Sequence, residues 1–154
     1  MTDANITIRT TTPSDVDNVM AIAENLAHAP KWGRETYESA LDPANRPRRV
    51  ALVAGGPGQV LIGFAISLLV GPEAELETIC VARNWQRRGA GRELLCSLLT
   101  ALQREGVTKV LLEVRTSNWA AQQLYRSCGF QEIGQRPDYY ADPKEDAVLM
   151  QRAL

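Results

Sequence analysis

The segment from Ile79 to Val114 constrains this chain more than any other. A β-branched run ends at Val81. Gly89-Ala90-Gly91 follows, then leucines at 94, 95, 98, 99 and 102, then Gly106, then the apolar run Val107 to Val114. Leucines at spacings of three and four with glycine at either end predict an amphipathic helix that opens at Gly89 and stops at Gly106. The run after it reads as a strand covered on both faces. Upstream, Val50–Val53 and Val60–Val70 are separated by Gly55-Gly56-Pro57-Gly58, the pattern of a β-hairpin, and Glu75–Val81 continues after Gly71-Pro72 as a third antiparallel strand. An antiparallel run that feeds a strand–helix–strand crossover requires a mixed sheet, which excludes an all-helical or all-β chain.

The flanking segments extend this frame. Ile6 and Ile8 alternate with polar residues as a short strand. Thr12-Pro13-Ser14-Asp15 offers an N-cap, a proline at the first helical position and an acidic first turn. The helix it opens carries Val16, Val19, Met20, Ala23 and Leu26 on one stripe, down to about Ala27, with His28 closing it. A shorter helix is expected over Glu35–Leu41. Beyond the central strand, Ser117 or Asn118 caps a helix with the stripe Ala121, Leu124, Tyr125 and Cys128, stopped by Gly129. Phe130–Ile133 and Ala147–Met150 supply the last strands, joined by a loop rich in Asp, Pro and Lys. The fold class is therefore α/β (α+β), a mixed and mostly antiparallel sheet with helices on both faces, read as one domain over residues 1–154.

Composition narrows the function. With 17 basic and 18 acidic residues in 154 there is no overall positive field to hold nucleic acid or an anionic membrane. The longest apolar stretch, Leu61–Val70, is about half of the roughly 20 residues a spanning helix needs. Met1 to Asn5 carries neither a basic nor an apolar leader, so the expected compartment is the cytoplasm. Cys80, Cys96 and Cys128 are odd in number, far apart and set in apolar patterns, as reduced core thiols are. One histidine and no Cys-x-x-Cys leave too few ligands for a zinc site, and no metal is expected.

Chemistry concentrates at three places. The first is Gln86-Arg87-Arg88-Gly89-Ala90-Gly91-Arg92 at a helix start, where unpaired amides, a partial positive charge and side-chain-free glycines suit a phosphate. A glycine-rich turn with a solvated basic edge is the plainer reading, while a Walker loop is excluded by the missing Gly-Lys-Ser/Thr. The second is Glu113 in an otherwise apolar strand. It is either a carboxylate shifted by burial toward the strength of a base or half of a buried ion pair with Arg115. The third is Tyr125 on the apolar stripe of its helix, which by position alone would be core packing.

These segments resemble the GNAT superfamily of N-acetyltransferases. The glycine loop resembles its Gln/Arg-x-x-Gly-x-Gly/Ala signature. Leu111-Leu112-Glu113-Val114-Arg115-Thr116-Ser117-Asn118, Leu124-Tyr125, Cys128-Gly129-Phe130, Tyr139-Tyr140 and Glu145-Asp146-Ala147 follow in the order seen in RimI-type enzymes, which acetylate the N-terminal alanine of a small-subunit ribosomal protein. The resemblance runs from about Glu75 to Met150. It implies the GNAT fold, acetyl-CoA as co-substrate, and a ribosomal protein N-terminus as acceptor. It also implies roles by position. The backbone of Ile79, Cys80 and Val81 would hold the pantetheine arm, Arg87, Arg88, Gly89, Ala90, Gly91 and Arg92 the pyrophosphate, and Asn118 would touch the cofactor. Glu113 would be the general base, Tyr125 the general acid, and Tyr139 and Tyr140 would line the acceptor groove, with Glu145 and Asp146 either attracting a basic group or merely solvated. Pro30-Lys31-Trp32, Pro137 and Trp119 depart from the usual pattern, which bears on the acceptor. The competing readings are an acetyltransferase for a small amine and a non-catalytic domain that binds coenzyme A.

Overall fold

The computed structural model describes residues 5–154; of the leader reading over Met1 to Asn5, all but Asn5 lies outside the described residues. In chain order the elements are β1 (Thr7–Thr10), α1 (Val16–Glu24), α2 (Arg34–Leu41), β2 (Arg49–Gly55), β3 (Leu61–Val70), β4 (Glu73–Val81), α3 (Ala90–Arg104), β5 (Lys109–Arg115), α4 (Trp119–Ser127), β6 (Gln131–Ala141) and β7 (Lys144–Ala153). The strands form one sheet in the order β1-β2-β3-β4-β5-β7-β6. Its pairings are antiparallel except β4 with β5.

Strand alternation divides the core between two helix layers. Leu52 and Ala54 of β2 pack with α3, whose Leu94, Leu95, Leu98 and Leu102 have no exposed surface, whereas Ala51 and Val53 face α1 and α2. Truncating one of these leucines to alanine costs about 2–5 kcal/mol. No helix among the described residues is long and apolar enough to cross a membrane.

Several expectations need correction. Thr12 does form a capping box with Asp15, whose carboxylate accepts from the Thr12 amide at 2.8 Å, but the first turn, Pro13–Asp15, is a 3-10 turn. α1 stops at Glu24 rather than near Ala27, because the Asn25 side chain donates to the Ala21 carbonyl at 2.9 Å and satisfies the last turn; His28 lies past the helix in a turn. β5 is not covered on both faces: Val110, Leu112 and Val114 are buried, while Leu111 and Glu113 are only half-buried. α1 and α2 pack on β2, β3 and β4, so the corresponding side of β5 lies open to a cleft. The expected loop between Ile133 and Ala147 is instead a long β6–β7 hairpin. Cys80 and Cys128 are buried free thiols, whereas Cys96 is exposed, turned away from the leucine stripe of α3.

Candidate active site

Two irregularities in β4 create the site. The β3–β4 register shifts between Ile66/Ser67 and Thr78/Leu76, leaving Glu77 as an extra residue. Such a bulge bends the strand and increases its twist. The parallel pairing with β5 covers only Glu73–Glu75 against Lys109–Leu111. Beyond it the two strands part, and the edge of β4 from the bulge to Val81 has no strand partner on that side. Ile79, Cys80 and Val81 lie on this edge, held from behind by Ala65, Phe64 and Gly63 of β3. Gly63 is required for that support: a Cβ there would sit 2.7 Å from the Cys80 carbonyl oxygen.

The turn after β4 brings the start of α3 to the same slot. Gln86 donates through Nε2 to the Val81 carbonyl at 2.9 Å, and Arg88 stacks over Trp85 at 4.9 Å. Arg87 and Gly89 adopt positive φ, +62° and +88°, and for Gly89 the absence of Cβ makes that conformation accessible. The first amide with a helical acceptor is that of Glu93, which donates to Gly89 O at 3.0 Å. The amides of Ala90, Gly91 and Arg92 therefore belong to the open first turn, as an anion site requires. A Cβ on Gly91 would lie 3.4 Å from Leu124 and 3.7 Å from Val81, so β4, α3 and α4 converge there. The Arg92 guanidinium is turned to the end of α4, donating to Ser127 Oγ at 3.0 Å. Asn118 is the N-cap of α4, its side chain accepting from the Ala121 amide at 3.2 Å.

On the opposite side of the slot, β5 and the β6–β7 hairpin gather a polar cluster. Arg136↔Ala147 and Tyr140↔Glu145 are paired, so residues 137, 138 and 139 together face Asp146 alone. Asp138 takes φ +53° in this bulge and its amide donates to Asp146 Oδ1 at 2.8 Å. In a regular strand neighbours point to opposite faces; here the Tyr139 and Tyr140 rings lie edge to face with centroids 5.0 Å apart. Both tyrosines sense the Glu113 carboxylate. Hydrogen bonding to Glu113, reinforced by burial, pushes Tyr139 up to about 12. Burial raises Tyr140, with Glu113 adding to it. Glu113 pairs with Arg136 at 3.6 Å. Glu75 stands nearby, its carboxyl raised by burial and then by Glu113 and Glu77. Tyr125 is buried on α4 against Phe130, ring centroids 5.8 Å apart. Burial, with Cys80 and Tyr140 adding, lifts its phenol well above the ordinary range.

The ion-pair alternative for Glu113 placed its partner at Arg115, and here the structure differs. Arg115 pairs with Glu145 at 3.2 Å, because the hairpin tip folds onto the end of β5. Glu145 also accepts from the Thr116 hydroxyl at 2.9 Å and the Ser117 amide at 2.6 Å. These contacts, Ser117 first, hold its carboxyl down to about 2. Glu145 and Asp146 thus tie the hairpin together, rather than standing solvated or free for a basic group. Arg136, Glu75 and Gln122 were missed in the sequence. Arg136 carries no local signal. Gln122, donating to the Arg115 and Thr116 carbonyls at 3.1 and 3.0 Å, is buried although its neighbours suggest a polar helix face. Glu75 could have been suspected as a carboxylate between Ala74 and Leu76.

The divergent Pro30-Lys31-Trp32 segment packs beside α2. Tyr37 donates to the Pro30 carbonyl at 3.0 Å, and the Trp32 ring tilts against Tyr37 at 5.2 Å. These residues, with Met20, Ala23 and Leu26, line a second cleft.

Residues 18–130 match the model of the Acetyltransferase (GNAT) family. The [Ribosomal protein bS18]-alanine N-acetyltransferase of Escherichia coli K12 is 40% identical over 129 residues, which cover 82% of this chain and 84% of that protein. The enzyme of the same name from Haemophilus ducreyi is 33% identical over 146 residues, 93% of this chain and 97% of its own. The crystal structure of the ribosomal-protein-S18-alanine N-acetyltransferase from Escherichia coli superposes with a TM-score of 0.83 at 36% identity, covering 96% of this chain and 93% of that one. The splayed sheet, the open first turn of α3 and these likenesses agree: the chain belongs to the GNAT family and is an acetyl-CoA-dependent N-acetyltransferase.

Proposed function

We propose that this enzyme acetylates the N-terminal α-amine of a protein, the alanine of a ribosomal protein of the bS18 kind, acting in the cytoplasm as one domain. The observation that carries the reading is that Arg136 joins the tyrosine pair to Glu113, its guanidinium 3.6 Å from the Glu113 carboxylate and 5.5 Å over the Tyr139 ring, beside a cleft of about 280 Å³ that Glu113 and Arg136 line and that continues along Leu111, Glu75, Val70 and Ile133. A cleft that extends beyond the base has room for residues following the reacting amine, and tyrosines supply rigid apolar faces with hydroxyls for a peptide backbone. The names of the Escherichia coli and Haemophilus relatives support the same acceptor.

The roles follow from the environments. Acetyl-CoA, held by the first turn of α3, Arg87 and Arg88 and the free edge of β4 at Ile79, Cys80 and Val81, supplies the thioester; Asn118 borders the same slot. An α-amine has an ordinary pKa of roughly 7.7–8.0, so at neutral pH it must lose a proton to attack. Glu113, half-exposed at the slot, accepts that proton directly or through water. The amine nitrogen then bonds to the acetyl carbon, the carbon–sulfur bond breaks, Tyr125 delivers a proton to the departing sulfur, and the proton shed by the new amide nitrogen passes by way of solvent and restores the phenol. Its burial keeps the phenol protonated until negative charge develops beside it.

The test is an acetyl-transfer assay on short peptides that begin with alanine, alongside the same peptides with blocked amines and free spermidine. Acetylation confined to the free α-amine, with Tyr139→Ala raising the peptide KM and leaving that of acetyl-CoA unchanged, is the expected result. Faster turnover of spermidine, unaffected by Tyr139→Ala, would replace this reading with the small-amine one.

A further inference from the structure

Arg115 stands in none of the roles assigned so far, yet its side chain makes more specific contacts than any catalytic residue of the site. It lies two positions after Glu113 on β5, hence on the same face. Its guanidinium carbon sits 4.2 Å over the Tyr140 ring. Nη1 donates to the Pro143 carbonyl at 2.9 Å and to Glu145 Oε1 at 3.2 Å, and Nη2 to the Asp142 carbonyl at 3.2 Å. The planar fork of arginine is thereby used on both sides of the hairpin turn and on its face. Glu145, fixed from behind by Thr116 and Ser117, returns the contact to the chain just beyond β5. That same chain is held by Gln122 of α4, the helix that carries Tyr125.

We infer that Arg115 is a positioning residue for the acceptor: it latches the tip of the β6–β7 hairpin onto β5 and so fixes Tyr140, and Tyr139 beside it, over Glu113. The observation behind this is the geometry of one fork joined to two turn carbonyls, one carboxylate and one ring. The need for such a latch follows from the hairpin itself. The bulge at residues 137–139 takes in Tyr139 and interrupts the β6–β7 ladder between Tyr140 and the rest of the sheet, so the ladder alone does not define where the rings stand. An aromatic pair that meets a peptide backbone must be held within a fraction of an ångström to favour one pose. The latch lies on the acceptor side of the slot, and its side-chain contacts run to the hairpin turn, to Glu145 and to the Tyr140 ring rather than to the turn from Gln86 to Arg92, so its larger effect falls on the acceptor.

The inference rests on the acceptor reading given above, and the experiment separates the two. Arg115→Met and Arg115→Lys are compared with the parent enzyme in steady-state assays that vary an alanine-starting peptide and acetyl-CoA in turn. Amide hydrogen exchange across residues 136–147 is measured on the same samples. Loss of a charge-assisted network of this kind should raise the peptide KM of Arg115→Met by about 10- to 100-fold, leave the acetyl-CoA KM within about twofold, and speed exchange in the hairpin. Arg115→Lys, which keeps the charge and loses the fork, should recover only part of the loss. Equal changes in both KM values, or an unchanged peptide KM in a folded variant, would overturn the latch. Should Arg115→Met fail to fold, Glu145→Gln attacks the other half of the same contact and must reproduce the split in KM. If Tyr140→Leu leaves the peptide KM unchanged while the Arg115 variants loosen the hairpin, the acceptor reading fails and the latch survives as a purely structural tie.

Discussion

The two sides of the slot are built in different ways. The proposed cofactor side comes from neighbours in sequence: β4, its turn and the first turn of α3 occupy residues 73–92, with Gln86 tied back to Val81 across five positions. The proposed acceptor side is assembled from β4, β5, α4 and the β6–β7 hairpin, and its ties, such as Arg115 to Glu145, cross about thirty positions. The segment that matches the family stops at residue 130, before β6 begins. A phosphate needs backbone amides at a helix start, which any sequence with glycine in the right place supplies. An acceptor must be told from other amines, and that takes side chains brought from several elements. On the proposed assignment, cofactor chemistry is therefore written locally and acceptor chemistry globally.

The contrast can be broken at several points. Glu113→Gln removes the proposed base and should lower kcat/KM by roughly 10²- to 10⁴-fold, with cofactor binding by calorimetry unchanged. Wild-type turnover in that variant would leave Glu113 as the ion-pair partner of Arg136 alone. Next comes the cofactor side: Gly89→Val forces a β-branched residue into positive φ and should weaken acetyl-CoA binding by about tenfold or more, leaving the peptide KM little changed. If both substrates weakened together, the two sides would not be separable.

Glu145 gives a smaller effect with a defined sign. Its folded-state pKa, about 2, lies below the ordinary 4.5, so the stability it contributes is present above pH 4.5 and is lost as pH falls through 2. The Tm gap between the parent and Glu145→Gln should therefore stay level above pH 4.5 and close toward pH 2; a gap that widened on acidification would contradict the ties to Ser117, Thr116 and Arg115. Smallest is Asn118→Ala. Loss of an N-cap costs about 1 kcal/mol, which lowers Tm by about 2–4 °C in a chain of this size, as differential scanning calorimetry would show.

Much of the architecture could be read from local pattern. The leucine stripe of α3, the hairpin at Gly55–Gly58 and the cap at Asn118 are short-range signals, and each element forms where its residues predicted. The misreadings have a common cause. β5 looked covered on both faces because Leu111 is apolar, yet the coverage of its second face depends on how far α1 and α2 extend. The β6–β7 hairpin looked like a loop because Pro137, Asp138, Asp142 and Pro143 interrupt it, although Asp146 and Arg115 stabilise those interruptions. Arg115 looked like the partner of Glu113 because the two are neighbours, until the hairpin brought Glu145 closer.

The sequence by itself determined the mixed sheet, the glycine-opened helix that follows β4 and the presence of a carboxylate and a tyrosine in apolar settings, because periodicity and helix-end chemistry act over a few residues. The tertiary structure decided which carboxylate lies at the slot beside Arg136, which is consumed in ties to the hairpin, and that two adjacent tyrosines lie together near Glu113. Those outcomes depend on strand register, a bulge and the parting of β4 from β5, and each of these is set by contacts between segments that are far apart in the chain.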